Sequence, residues 1–250
     1  MQIVCGLFYR RENFYKAFGE FAWSCHQNAS FWKDAVLYTD AQAGARTRKY
    51  HHYFRDVVVE ADLPPEVAAN KMWCCKGWWA KNATDQFDRV LYCDFDIYVR
   101  KPLDRVLDEH LQRGPRFIHI PTYKSQQKVV GCGIAFYDRR CDWESYLRLL
   151  YHKWHHDEKA WTELLGVTLE SFPQSGLSMD PWIVHHNFRQ VRPSDRNQVY
   201  VIHGISPDDR GRELLLAMGY QPEEVAFNWS TFDQVRLKFQ RLFRGLTGRR

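Results

Sequence analysis

The alternation of short apolar runs with amphipathic segments is the feature that most restricts how this chain can fold. Apolar runs of strand length lie at 3–8, 35–39 and 56–60, and longer polar or amphipathic stretches separate them. In the first of these stretches, 14–25, large apolar side chains recur at helical spacing. Strands that alternate with helices predict an α/β fold, with a largely parallel sheet covered by helices on both faces.

The fourth apolar run, 89–96, ends in two carboxylates, Asp94 and Asp96. Because side chains alternate along a strand, we expect both acids on the same side of the chain. Ligand crevices in α/β sheets lie beyond the carboxyl ends of the strands. Oxygen-rich pairs suit Mg²⁺ or Mn²⁺, which bridge a protein to a diphosphate. Two acids at this spacing are also common in solvated turns, and the apolar strand before them favours the metal site.

The second half of the chain has a less regular pattern, and a histidine stands near the end of its last apolar run. Runs at 117–120, 133–137 and 199–204 predict further strands, and the last of them contains His203. An imidazole beside two carboxylates favours Mn²⁺ over Mg²⁺, because Mn²⁺ accepts nitrogen ligands more readily. The alternative is an ordinary hydrogen-bonded histidine. No internal repeat is present, so we expect one domain over 1–230.

Positive charge is concentrated at the C-terminal end. The chain has 35 Lys and Arg against 30 Asp and Glu, a net charge of +5, and residues 231–250 contain six of the basic residues and one acid. In this segment a capping box precedes apolar residues that recur on one helical face. A basic amphipathic helix suits an anionic membrane surface. A terminal helix packed on the core is the alternative, and nucleic acid is a further partner of basic tails.

The N-terminus and the cysteines favour a cytoplasmic protein. The first residues lack the basic and apolar regions of a signal peptide, and no apolar run approaches the roughly 18–20 residues of a membrane span. The seven cysteines form no CxxC pair, and several lie in apolar runs, where a thiol packs as a small apolar group. We therefore expect free thiols, a reducing compartment and, through 231–250, peripheral contact with the inner face of a membrane.

Taken in order, these features resemble the GT-A fold glycosyltransferases that use nucleotide sugars, particularly the retaining glycogenin-like and lipopolysaccharide galactosyltransferase-like members. The run 89–99 looks like the strand that carries the Asp-x-Asp motif of that family, and 131–138 is similar to its glycine-containing acceptor-side strand. Lys76 stands close to where the family has a basic donor contact, and His203 matches its late histidine. The resemblance spans residues 3–205 and implies a Rossmann-like, mostly parallel sheet flanked by helices.

The resemblance also implies roles for individual residues. Asp94, Asp96 and His203 would bind the cofactor, Mn²⁺ or Mg²⁺. The family's late lysine, which meets the diphosphate, is absent here, and Arg210 is the substitute. The early acidic residue that closes on the nucleobase is also absent, and Tyr9 stands in that region. The implied donor contacts are Lys76, Asp94, Tyr9, Gly133 and Arg210.

A further segment, Trp-His-His-Asp-Glu at 154–158, looks like the His-Asp-Glu segment of the blood-group-type retaining transferases. By that analogy Glu158 is the candidate nucleophile or ion-pair stabiliser beneath the donor sugar, and Asp157 is a hydrogen-bond partner of that sugar. The alternative is the first turn of a helix, where the helix dipole favours acidic side chains.

Together these features imply a metal-dependent hexosyltransferase. It would move a sugar from a nucleoside-diphosphate sugar, which we expect to be UDP-linked, to a hydroxyl of a glycan or lipid-linked acceptor, with retention. Nucleic acid is a less favoured acceptor. Two other functions remain open, a metal-dependent phosphodiesterase or nuclease that uses Asp94 and Asp96, and a catalytically silent protein of the same fold that binds a nucleotide sugar or carbohydrate. A two-metal nuclease should offer more carboxylates, and no further acidic cluster follows a predicted strand.

Overall fold

The fold is taken from a computed structural model of the chain. Of the residues singled out above, Tyr9, Asp96, Arg210 and the segment 231–250 lie outside the described part, and for His203 only the backbone is described. The described residues are 2–7, 12–28, 30–59, 63–69, 71–95, 97–99, 101–104, 114–119, 128–179, 183–185 and 199–203.

A six-stranded sheet and a three-stranded sheet organise the described part of the chain. The strands are β1 Gln2–Leu7, β2 Ala35–Thr39, β3 Asp56–Val59, β4 Arg89–Cys93, β5 Ile97–Val99, β6 Arg116–His119, β7 Val130–Asp138, β8 Ile183–His185 and β9 Val201–His203. The larger sheet has the order β3-β2-β1-β4-β7-β6. The first four strands in that order are mutually parallel, and β7 runs antiparallel to both β4 and β6. The predicted mostly parallel sheet is confirmed.

Helices cover both faces of the larger sheet, as the sequence pattern predicted. They are α1 Glu12–Asn28, α2 Ala41–Thr47, α3 Pro65–Ala69, α4 Lys71–Gln86, α5 Trp143–Leu149 and α6 Asp157–Leu165. The position of strand β4 in the sheet explains why its sequence is continuously apolar. Leu91 and Cys93 pack in one core cluster with α1, whereas Val90 and Tyr92 pack in a second cluster with α4, α5 and α6. A strand that buries both faces cannot alternate apolar with polar residues.

The chain leaves the larger sheet earlier than the sequence predicted. Strand β4 ends at Cys93, and Phe95 lies in a turn with its ring 2% exposed in the α1 cluster. The predicted strand to residue 96 was therefore wrong at residues 94 and 95, and residue 96 lies outside the described part of the chain. The alternation argument for Asp94 and Asp96 required an extended chain up to residue 96, so it does not apply beyond the turn. The burial of Phe95 favours the turn, because the ring fills the core below the end of the sheet.

The smaller sheet joins the residues that follow this turn, in β5, to the late strand that contains His203. Its order is β5-β9-β8, with β5 antiparallel to β9 and β8 parallel to β9. In the register of β5 and β9, Ile97 pairs with His203. The backbone of His203 is therefore next to the residue that follows Asp96 in the sequence.

A π-helical turn connects α5 to α6 at the edge of the second core cluster. Residues Leu150–Trp154 form this turn, and His155 follows in the left-handed region, with φ 50°, while its N–H donates to the carbonyl oxygen of Leu150 at 2.8 Å. Helix α6 then begins at Asp157. The predicted polar turn before a further helix is present, and the helix includes both acids of the 154–158 segment.

Close packing of α4 against α5 depends on a glycine next to Lys76. A Cβ atom on Gly77 would lie 2.7 Å from Cδ2 of Leu150 and 2.8 Å from Cε1 of Tyr146, two side chains that are buried. We expect Gly77→Ala to lower the free energy of unfolding by about 1–2 kcal/mol, because overpacking outweighs the gain in helix propensity. Urea denaturation measures this, with Gln86→Ala at the exposed end of α4 as the control. A Gly77→Ala protein more stable than the wild type would contradict the packing.

The cysteine side chains that the structure describes are free and buried, at positions 25, 74, 75, 93, 132 and 141. Four of them belong to the second core cluster and two to the cluster of α1. They pack as small apolar groups, as expected. Among the described residues, no helix combines the length and apolar character needed to span a bilayer.

Candidate active site

Asp94 lies at the end of β4 and is held by groups from three directions. The Lys76 ammonium on α4 donates to Oδ2 of Asp94 at 2.5 Å, and the Tyr92 hydroxyl donates to Oδ1 at 3.0 Å. The backbone N–H of Asp94 donates to the carbonyl oxygen of Gly133 on β7. Lys76 and Asp94 are 8% and 7% exposed. The Asp94 carboxylate is therefore a buried anion with a direct cationic partner.

Asp157, at the start of α6, lies close to the same ammonium. Its Oδ2 is 3.7 Å from Nζ of Lys76, and the residue is 1% exposed. Neither carboxylate oxygen makes a hydrogen bond of normal length and angle with a described residue. Burial raises the pKa of Asp157 to about 7; Lys76 opposes this rise, and the charges of Glu158 and Asp94 add to it. Asp157 is thus a buried carboxyl group that titrates near neutral pH.

Glu158, the next residue, has a separate cationic partner. Nζ of Lys128, just before β7, lies 3.2 Å from Oε2 of Glu158. The residue is 7% exposed although it stands in the first turn of a helix. Acids that only favour a helix dipole normally lie at the surface. The burial of Asp157 and Glu158 therefore indicates that they face the interior of the protein rather than solvent.

An aromatic ring and a neutral imidazole lie between these two ion pairs. The ring of Trp73 stacks on His156 with centroids 4.0 Å apart and 18° between the planes. The ammonium groups of Lys76 and Lys128 lie 5.3 Å and 5.5 Å from the Trp73 centroid. Burial, and then the nearby lysines with Lys128 foremost, lower the pKa of His156 to about 3. His156 is thus neutral at pH 7, and its Nδ1 lies 3.4 Å from Oδ1 of Asp157.

No protein-family model and no curated protein sequence matches the chain. Solved structures do match, and several are glycosyltransferases. A glycosyltransferase involved in the glycosylation of the major capsid of PBCV-1 has a TM-score of 0.50 and 15% identity, covering 88% of this chain and 98% of its own. The galactosyltransferase LgtC, in complex with donor and acceptor sugar analogs, matches with a TM-score of 0.52 and 15% identity. The match covers 90% of this chain and 98% of the LgtC chain. The chain has the GT-A glycosyltransferase fold. GlyE from Streptococcus pneumoniae TIGR4, with a TM-score of 0.55 and 12% identity, covers 91% of this chain and 62% of its own.

The GT-A fold brings several of the residues predicted from the sequence into one place. Lys76, Asp94 and Asp157 share a buried cluster, in which Glu158 is the neighbour of Asp157, and Gly133 touches the cluster through its backbone. Tyr9, Asp96 and Arg210 lie outside the described residues, and so does the side chain of His203.

Sequence reasoning missed four residues of this cluster, namely Trp73, Tyr92, Lys128 and His156. For Trp73 a signal was available, because positions 73 and 76 on a helix lie on the same face. His156 stood inside the segment 154–158 without a role of its own. Lys128 has no local signal, since its contact with Glu158 depends on how α6 packs beside β7.

The backbone geometry is compatible with the predicted metal ligands. Asp94 supplies a carboxylate at the end of β4, and the register of β5 and β9 places the backbone of His203 beside Ile97, one residue after Asp96. Two carboxylates and an imidazole form a donor set that suits Mn²⁺. No group of three His, Cys, Asp or Glu side chains that could hold a metal occurs among the described residues, and two of the predicted ligand side chains are not part of that description.

Proposed function

We propose that the chain is a metal-dependent glycosyltransferase that moves a hexose from a UDP-linked sugar to a glycan or lipid-linked hydroxyl acceptor, with retention. One observation carries the proposal. The acid at the end of β4 and the acids at the start of α6 are far apart in sequence, yet Asp94 and Asp157 lie within 4 Å of the single ammonium of Lys76. A cluster that combines carboxylates with an ammonium group can bind sugar hydroxyl groups and a phosphate at the same time.

Asp157 is suited to bind the donor sugar. Its buried carboxyl oxygens lack hydrogen bonds of normal geometry with the described residues, and an unsatisfied buried acceptor costs about 1–3 kcal/mol. Sugar hydroxyl groups are the donors that would satisfy it. The neutral His156 beside it, stacked on Trp73, adds an apolar wall against which a sugar ring can pack.

Lys76 and the predicted ligands are suited to hold the diphosphate. Asp94, Asp96 and His203 would bind Mn²⁺ or Mg²⁺, which neutralises the charge that develops on the nucleoside diphosphate as the anomeric bond breaks. Lys76 adds a fixed positive charge in a buried site, where it acts more strongly than in water. Tyr9, Gly133 and Arg210 complete the proposed donor contacts.

Glu158 is suited to stabilise the positive charge that develops on the sugar. A carboxylate fixed on the face of the sugar opposite the diphosphate acts as the nucleophile or as an ion-pair partner, and either role leads to retention. For the lipid-linked acceptor, we propose that the basic segment 231–250 holds a cytoplasmic protein at an anionic membrane surface. A catalytically silent sugar-binding protein of the same fold is the alternative, and the experiment below separates the two.

The proposal is tested by a thermal-shift screen of nucleotide sugars with and without Mn²⁺, followed by assays for release of the nucleoside diphosphate with glycan acceptors. We expect one UDP-sugar to stabilise the protein only with metal, by about 2.7 kcal/mol at a hundredfold excess over its Kd. Asp96→Asn should abolish transfer without lowering the unfolding temperature. Asp85→Asn, which neutralises an exposed acid of α4, is the matched control.

Two outcomes would contradict the proposal. Full transfer activity in EDTA would exclude the metal scheme. Metal-dependent stabilisation by a nucleotide sugar without turnover, over a range of glycan and lipid-linked acceptors, would favour the silent binding protein.

A further inference from the structure

The ion pair between Lys128 and Glu158 is almost completely removed from solvent. The two side chains are 13% and 9% exposed, and their charged atoms are 3.2 Å apart. Taking two charges out of water costs several kcal/mol per ion, which only a well-placed partner offsets. A pair of this kind therefore persists only where the surrounding chain holds both side chains in place.

Thr162 provides that restraint. Its hydroxyl donates to the backbone carbonyl of Glu158 at 2.7 Å, one helical turn earlier in α6. The same oxygen accepts the backbone N–H groups of Val129 and Val130 at 3.1 Å and 3.2 Å. A hydroxyl has one donor and two acceptor positions, so Thr162 uses its whole capacity. It ties the residues that follow Lys128 to the turn of the helix that contains Glu158.

The Trp73 ring lies beside both ammonium groups of the cluster, and the two ammonium groups contact different acids. Lys76 contacts Asp94 and Asp157, whereas Lys128 contacts Glu158. Both Nζ atoms lie within 5.5 Å of the same ring centroid, and cation–π attraction of this kind contributes about 0.5–2 kcal/mol. The ring therefore restrains Lys128 on the side of Glu158.

We propose that Lys128 is a positioning residue for Glu158 in sugar transfer, an inference that rests on the function proposed above. Lys128 sets the orientation of the Glu158 carboxylate and balances its charge beside the buried Asp157, so that Glu158 faces the sugar as an anion. Truncation of Lys128 then affects the rate of transfer mainly through Glu158.

A kinetic double-mutant cycle tests this role. Lys128→Met should lower kcat for transfer by up to about 100-fold, the cost of a misplaced functional group, with little change in KM for the donor. Lys128→Arg, which keeps the cation, should restore most of the rate. In a Glu158→Gln background, Lys128→Met should cause no further loss. Lys153→Met is the control. It removes the exposed partner of Glu163, which lies on the same helix as Glu158, and should leave the rate unchanged.

A second cycle on urea unfolding measures the pair without any substrate. The stability lost in Lys128→Met should be largely recovered in the double variant with Glu158→Gln, because no uncompensated buried charge then remains. Lys128→Gln serves in both cycles if Lys128→Met does not fold. Additive effects in either cycle, in a protein that transfers sugar, would overturn the assignment of Lys128 alone. A wild-type protein without any transfer activity would instead overturn the proposed function and, with it, this role.

Discussion

Replacing Lys76 with methionine is expected to lower the free energy of unfolding by about 3–5 kcal/mol at pH 8, the range measured when one partner of a buried ion pair is removed. The ammonium lies 2.5 Å from Asp94 and 3.7 Å from Asp157, and both acids are at least nine-tenths buried. Methionine fills a similar volume without a charge, so the loss reports the two carboxylates that remain without a cation. The proposed sugar transfer should be lost as well.

The deficit of Lys76→Met should also shrink as the pH falls. Lys76 holds the pKa of Asp157 down against burial, so its removal raises that pKa further and the carboxyl is neutral in the folded variant over a wider pH range. Less uncompensated charge then remains at pH 5 than at pH 8. Urea denaturation at both values measures the difference. The control is Lys81→Met, which removes the partner of the exposed Asp85 on the same helix and should change the free energy of unfolding by less than about 1 kcal/mol. Equal losses in Lys76→Met and Lys81→Met would contradict the buried cluster.

Asp157→Asn is expected to gain stability relative to the wild type as the pH rises from 4 to 8. The pKa of Asp157 is about 7 in the folded state, against about 3.9 in an unfolded chain. Between these values the folded state holds a proton that the unfolded state has lost, so the contribution of Asp157 to stability falls as the pH rises. The difference between variant and wild type should change by up to ~4 kcal/mol over this window, at about 1.4 kcal/mol per pH unit.

The comparison with Asp157→Asn is needed because His156 titrates in the opposite sense. Its pKa is lowered to about 3 in the folded state, so between that value and about 6.5 only the unfolded state binds the proton. Stability from His156 therefore rises with pH over much of the window in which stability from Asp157 falls. The pH profile of the wild type alone would partly conceal both effects.

Glu163→Gln, on the exposed side of the same helix, is the control for Asp157→Asn. Its partner Lys153 holds the pKa of Glu163 below the usual value, so the stability it contributes is present at higher pH and is lost below about pH 4.5. The difference profile of Glu163→Gln should therefore be flat above about pH 4.5 and change, in the opposite sense, only below it. A flat difference profile for Asp157→Asn would show that the carboxyl is not buried as the structure has it.

Local sequence pattern was sufficient for most of the larger sheet. The apolar run at 35–39 coincides with β2, and the continuous apolar run before Asp94 reflects burial on both faces of β4. Strand β8 was missed because Ile183–His185 is too short to show a period. The end of β4 was placed too late, because Phe95 is apolar and continues the run in sequence although its ring is buried in a turn.

Hydrophobic periodicity alone determined the α/β class, the mainly parallel sheet and the places where acids follow strands, because burial on a repeating backbone leaves a repeating pattern in the chain. Only the tertiary structure decided which charges meet. Helices α4 and α6 pack on the same face of β4 and β7, and this packing brings Lys76 to Asp157 and Lys128 to Glu158. Contacts between residues distant in sequence depend on how helices pack against one another, and no local period encodes that arrangement.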